Sequence, residues 1–149
     1  MTLAPGAARR VPGAARRDYA SITPVHLVID AANVVGSRPD GWWRDRAGAA
    51  ARLVEQVTGA AVAGRLDGRV TVVLEGAARA GVEERSGAGH AVQVVHAPRD
   101  GDSAIVALVD SLTAAGGPVG VVTADRGLRA LVEGLGSTVY GPSWLLEKL

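Results

Sequence analysis

A chain of 149 residues, 48% of them apolar, has the size of one ordinary domain and enough apolar side chains to bury a core. It contains no Cys, which excludes disulfides, zinc ribbons and thiol catalysis together, and it has no run of roughly 18 apolar residues that would span a membrane. Charge is unevenly divided: residues 1–24 carry Arg9, Arg10, Arg16 and Arg17 against Asp18, a net +3, while the remainder carries 12 basic and 14 acidic residues, a net −2.

That division sets a basic tail over 1–24, too poor in periodic apolar residues to fold, apart from a compact domain over 25–149. The tail is expected to be a solvated extension, with contact to nucleic acid as the alternative; it also has the Arg-rich, acid-poor look of a transit peptide. Lacking the apolar segment of a secretory signal, the protein is expected to be cytoplasmic. Phe is absent, so Val, Leu, Ile and Ala must fill the interior.

From Val25 the chain alternates apolar runs with helical periodicity, the pattern of an α/β sandwich around a mostly parallel sheet. The first strand is expected over 25–30, then a loop from Ala31 to Gly41 and a helix from Trp42 or Trp43 to Ala63, capped by Asp40. In that helix Trp43, Ala47, Ala50, Val54, Val57 and Ala61 recur at three- and four-residue steps and form the face that packs on the sheet. Strands follow over 69–75 and 91–96, joined by Gly- and charge-rich linkers. Asp102 or Ser103 opens a helix from Ala104 to Ala115, which Gly116 and Gly117 stop. A strand from Pro118 to Thr123, a helix from Arg126 to Leu135 and a short strand from Ser137 to Tyr140 complete the pattern, with Trp144 to Leu146 docking on the body.

Acidic residues stand where these strands end: Asp30, Glu75, Asp102 and Asp125. In a parallel sheet the carboxyl ends share one edge, and ligands bind in the crevice beside it. Carboxylates gathered there repel one another, and the usual remedy is a hard divalent cation with oxygen ligands, Mg²⁺ or Mn²⁺. Simpler readings exist for most of them. Asp102 and Asp125 suit helix caps, Glu75 a solvated turn, and Asp100 a solvated loop. Asp30 has no evident helix to cap. His26, His90 and His96 lack ligand spacing and are expected to be structural or solvated. No P-loop lysine, dinucleotide-binding glycine pattern or nucleophile elbow is present, so no nucleotide cofactor or serine-hydrolase chemistry is expected.

Four segments appear in order: Asp30-Ala-Ala-Asn33, Leu74-Glu75-Gly76, Gly101-Asp102-Ser103-Ala-Ile105 and Thr123-Ala-Asp125-Arg126. Together they resemble the NYN domains of the PIN-like nuclease superfamily, and within it the YacP-like group of bacterial ribonucleases, over roughly 25–146. Ala31 stands where relatives usually have Gly, and Glu75 where many have Asp. The resemblance implies a three-layer α/β sandwich with five strands in the order 3-2-1-4-5, so that Asp30 and Asp125 flank the point where the chain reverses direction. It also implies Asp30, Asp102 and Asp125 as ligands of Mg²⁺ or Mn²⁺, with Glu75 at a water-mediated position or a second ion. Asn33 would orient a carboxylate or the scissile phosphate, and Thr123 and Ser103 would hold ligands by hydrogen bonds.

A bound metal lowers the pKa of its water and stabilises charge on phosphate, so no Ser, Cys or His nucleophile is required. Arg38, Arg44, Arg46, Arg79, Arg99 and Arg126 fall on or beside the loops around this edge and suit phosphate, although a GC-rich genome would also favour Arg over Lys. Trp42 and Trp43 offer stacking to an unpaired base, Trp43 being the one expected in the core. The function so implied is a metal-dependent endoribonuclease acting on single-stranded or loop RNA. The alternatives are a non-catalytic RNA-binding or ribosome-associated scaffold, and a Toprim-like phosphotransfer site built from Leu74-Glu75-Gly76 and Asp100-Gly-Asp102.

Overall fold

A computed structural model describes residues 26–149; the basic segment 1–24 and Val25 lie outside the described residues. Five strands, β1 (His26–Asp30), β2 (Arg69–Leu74), β3 (Gln93–His96), β4 (Val119–Val122) and β5 (Thr138–Tyr140), form one sheet in the order β3-β2-β1-β4-β5. Every ladder between them is parallel. Among the described residues the helices are α1 (Ala31–Gly36), α2 (Arg46–Val62), α3 (Gly101–Ala114), α4 (Arg126–Gly134) and α5 (Pro142–Leu146), with 3₁₀ turns at Trp42–Arg44 and Gly76–Gly81.

Because successive strand residues point to opposite faces, the Val-rich strands feed two cores at once. Leu27 and Ile29 of β1, with Val70, Val72 and Leu74 of β2, pack under α1, α2 and α5 through Val34, Leu53, Val57 and Leu145. Val28 and Val73 face the other way, with Val119 and Val121 of β4, onto Ile105 and Val109 of α3 and Leu128 and Val132 of α4. The result is the three-layer sandwich with the order 3-2-1-4-5. No helix among the described residues is long and apolar enough to cross a membrane.

Three expectations are corrected around the first helices. Residues 31–36 form α1 instead of a loop, and Asp30 is its N-cap, its carboxylate accepting from the Asn33 N–H at 3.4 Å. Helix α2 starts at Arg46, capped by Asp45 and not Asp40, the Asp45 side chain accepting from Gly48 N–H at 2.9 Å. Gly41 in the left-handed region (φ 78°) and the extended Asp45 (φ −151°) separate Trp42–Arg44 from the helix that follows, so apolar periodicity through Trp43 does not extend α2. Trp43 is consequently 54% exposed and not core, and Ala49 and Leu53 complete the buried face.

Further along, α3 is capped by Asp100, not by Asp102 or Ser103, which lie inside its first turn. The linker after β2 holds the 3₁₀ turn at Gly76–Gly81, laid against α2 so closely that a Cβ on Gly81 would meet the Ala47 carbonyl carbon at 2.9 Å. At the C-terminus the expected docking is seen: Leu145 is fully buried and the Trp144 ring stacks on Tyr140 with centroids 4.2 Å apart.

Candidate active site

The chain runs outward from β1 to β2 and β3, then returns through α3 to β4 on the other side of β1. Strands β1 and β4 therefore end side by side at a topological switch point, where α/β sheets bind ligands. Asp30, only 4% exposed, sits at this edge. Its Oδ2 accepts from the Thr123 hydroxyl at 2.8 Å and from the Asn33 side-chain amide at 2.8 Å. The Asn33 carbonyl in turn accepts from Ala124 N–H at 3.3 Å, and the Thr123 hydroxyl accepts from Asp125 N–H at 3.1 Å. Five residues from two distant segments are thereby laced together across the seam. Burial pushes the Asp30 carboxyl above the usual carboxylate range; the bonds from Thr123 and Asn33 oppose that, and the charge of Glu75 adds to it.

Asp125 directs Oδ1 to Leu128 N–H at 2.9 Å, capping α4. It therefore does what the simpler reading expected while standing next to the Asp30 network. Asp102, in the first turn of α3, has no hydrogen-bond donor among the described residues. Partial burial raises its carboxyl pKa, and Asp125, Asp30, Glu75 and Asp100 raise it further by repulsion. Glu75 accepts from Gly101 N–H at the start of α3. The fit is close: a Cβ on Gly101 would stand 2.7 Å from the Glu75 Oε1.

The structure thus brings Asp30, Asn33, Thr123 and Asp125 into hydrogen-bond contact and sets Asp102 and Glu75 within electrostatic reach. It does not bring Ser103 to them. Ser103 donates N–H and hydroxyl to Asp100 at 2.8 and 2.9 Å, which holds the Asp100 carboxyl below the usual range.

Of the arginines, Arg38 donates to the Gln56 side chain at 2.9 Å, and Arg79 donates to the Gly76 and Ala97 carbonyls at 3.1 and 3.2 Å, a structural use. Arg44 lies 5.6 Å over the Trp43 ring and Arg46 4.9 Å over the Trp42 ring. Arg46 and Arg99 line a cavity of about 380 Å³ that reaches Glu75 and Asp100, and Arg126, exposed, is the first residue of α4 beside Asp125. The histidines behave as structural groups where they are engaged: His26 pairs with the Thr71 hydroxyl at 2.7 Å and His96 with the Val82 carbonyl at 2.7 Å.

The single ion pair among the described residues is Arg129 with Glu133, one turn apart on α4. The acids at the strand ends are therefore not neutralised by a direct basic partner. In donor type they fit a hard divalent cation, since Asp102 keeps both oxygens free of protein donors and Asp30, Asp125 and Glu75 each keep one that is weakly held or free. Even so, no three His, Asp or Glu side chains among the described residues converge on one metal-sized point. The sequence pattern missed the cavity and the capping duties of Asp30 and Asp100. The caps had a signal in the acid placed three residues before Asn33 and before Ser103.

No family model matches the chain, and no curated protein matches it. Its fold is that of Rae1 (YacP) from Bacillus subtilis: the crystal structure of that protein superposes with a TM-score of 0.63 at 21% identity, covering 82% of this chain and 71% of the other. A mutant of the same protein gives a TM-score of 0.59 at 22% identity, covering 83% and 73%. At this identity the likeness is one of fold.

Proposed function

We propose that this domain is a metal-dependent endoribonuclease whose active site is the carboxylate edge around Asp30. The observation that carries the proposal is the state of Asp30 itself. It is a buried carboxylate held by Thr123 and Asn33 and raised in pKa by burial and by the charge of Glu75, with Asp102 and Asp125 on the same edge and no direct basic partner among the described residues. Burial with no basic partner disfavours its charged form, even with its hydrogen bonds made, and a bound cation would supply the missing countercharge. RNA as the substrate rests on the four motifs that resemble YacP-like ribonucleases, and the shared fold with Rae1 (YacP) supports the same reading.

In this proposal Asp30, Asp102 and Asp125 hold Mg²⁺ or Mn²⁺, with Glu75 beside them. The ion supplies acidified water and charge stabilisation at phosphate when bound. The chain's own residues do the rest. Thr123 and Asn33 fix the direction of the Asp30 carboxylate, and Asn33, tied to Ala124 N–H, couples that direction to the turn that carries Asp125. Asp102 is free to turn toward an incoming cation, and its raised pKa means that repulsion is relieved when a positive charge arrives. Arg46 and Arg99 of the neighbouring cavity and Arg126 beside Asp125 would meet the phosphates of a bound strand, which their planar donor fork suits. A narrow edge of this kind admits an unpaired strand more readily than a stiff duplex.

The test is cleavage of a labelled single-stranded RNA, with Mg²⁺ and Mn²⁺ titrated by calorimetry, for wild type, Asp30→Asn and Asp125→Asn. Cleavage in the folded variants is expected to fall about a hundredfold or more, the scale on which single electrostatic elements of active sites act, and metal binding to weaken with it. Unchanged cleavage would sink this site. A second reading is favoured by one observation, that no three acids converge on a metal-sized point: an RNA-binding or ribosome-associated module that does not cleave. It predicts RNA binding without turnover, indifferent to Asp30→Asn.

A further inference from the structure

Beside the carboxylate edge lies the cavity of about 380 Å³ already noted, at the small end of the roughly 300–1,000 Å³ typical of ligand pockets. Its walls come from three elements. Ala31 and Ala32 of α1 and Ala50 of α2 form one side; Gly76, Ala77 and Ala78 of the 3₁₀ turn form the other. Small side chains keep this space open. The lining also includes the Trp42 ring with the Arg46 guanidinium 4.9 Å above it, together with Arg99, Asp100 and Glu75.

We propose that this cavity receives one unstacked base of the bound RNA strand, an inference that rests on the reading of the neighbouring acids as an RNA-cleaving site. Three observations point the same way. Apolar walls of small side chains, with an indole and a guanidinium among them, supply the two kinds of surface on which unpaired bases stack. Arg46 and Arg99 both belong to the lining and suit the phosphates that flank an inserted base by their planar donor fork. Glu75 lines the cavity and also accepts from Gly101 N–H at the start of the helix that carries Asp102, so a base held there would lie beside the proposed cleavage site. The cavity is therefore a determinant of where the strand is cut.

The experiment is equilibrium binding to the full chain in EDTA, where no cleavage occurs, read by anisotropy of a labelled single-stranded RNA. Wild type is compared with Ala77→Leu, which fills the cavity from an exposed position, and with Trp42→Ala; circular dichroism and melting establish that each is folded. Both substitutions are expected to weaken binding by about tenfold or more, the scale of one base–aromatic stack. An abasic oligomer of equal length is expected to bind all three forms alike. Unchanged RNA affinity in both folded variants overturns the proposal, as does a nucleoside monophosphate that binds as tightly as the RNA. Cleavage is measured separately with Mn²⁺. The expected binding pattern without any cleavage would remove the nuclease reading and leave the cavity, while cleavage with unaltered binding in both variants would remove the cavity and leave the acids.

Discussion

Thr123 shows how much of the site depends on one hydroxyl. It is buried, donates to Asp30 at 2.8 Å and accepts from Asp125 N–H at 3.1 Å, so one oxygen serves both acids at the seam. Replacing it with Val keeps the shape and removes both bonds, leaving Asp30 buried with one fewer donor. Thr123→Val is expected to lower metal affinity and RNA cleavage by about 10- to 100-fold, the usual cost of losing a group that orients a ligand, while Thr123→Ser retains most of both. Calorimetric titration of Mn²⁺ checks this, and a Thr123→Val protein that binds metal as tightly as wild type would refute it. Asp30 stood out in the sequence as an acid with no evident structural duty, and the structure corrects that premise, since it caps α1. Its main partner could not be found locally: Thr123 lies 93 residues away and meets it only because β1 and β4 are neighbours.

At the scale of elements, β1 is tied to β2 by a side-chain bond as well as by its ladder. His26 shares a 2.7 Å hydrogen bond with the Thr71 hydroxyl and stands opposite Arg69 in register. Burial lowers its pKa, and the Arg69 charge lowers it further. The unfolded chain therefore takes up a proton at His26 before the folded one does, so this contribution to stability is present above pH ~6.5 and is lost as pH falls through the folded-state value. Asp30 and Asp102 act with the opposite sign, because a raised carboxyl pKa gives stability that is lost as pH rises through it. Urea midpoints between about pH 7.5 and 5.5 are expected to fall more steeply for wild type than for His26→Gln, which retains a polar partner for Thr71. Equal slopes would show that His26 does not report on folding. The strands and long helices were visible in the sequence within a few residues, since apolar period follows burial. The start of α2 was not, because Trp42 and Trp43 continue the apolar count while Gly41 and Asp45 break the backbone.

For the whole molecule, the four strand-end acids come from separate segments and meet only in the folded state. A cation that binds them binds the native state alone and stabilises it by mass action, by about 2.7 kcal/mol at a hundredfold excess over its dissociation constant. Mn²⁺ is expected to raise the melting temperature of wild type and to leave Asp30→Asn nearly unchanged, as differential scanning fluorimetry can measure. An equal shift in both would place the ion elsewhere. Alternating apolar runs were enough to indicate an α/β sandwich, whereas the strand order came from the family resemblance. Register and order depend on which strands meet across long separations, as in Thr71 with Gln93 or Val28 with Val121, and local composition does not encode that.

The clasp formed by Asp30, Asn33, Thr123 and Ala124 closes the edge of the β1–β4 seam, the one place where the two halves of the sheet join. Opening that seam and losing the aim of the Asp30 carboxylate are thus a single event. A molecule caught half-folded, or one whose β4–β5 half has come away, presents its acids in disarray. Under the proposed activity, a nuclease built this way is silent until its fold is complete, and a damaged copy is harmless to the RNA around it.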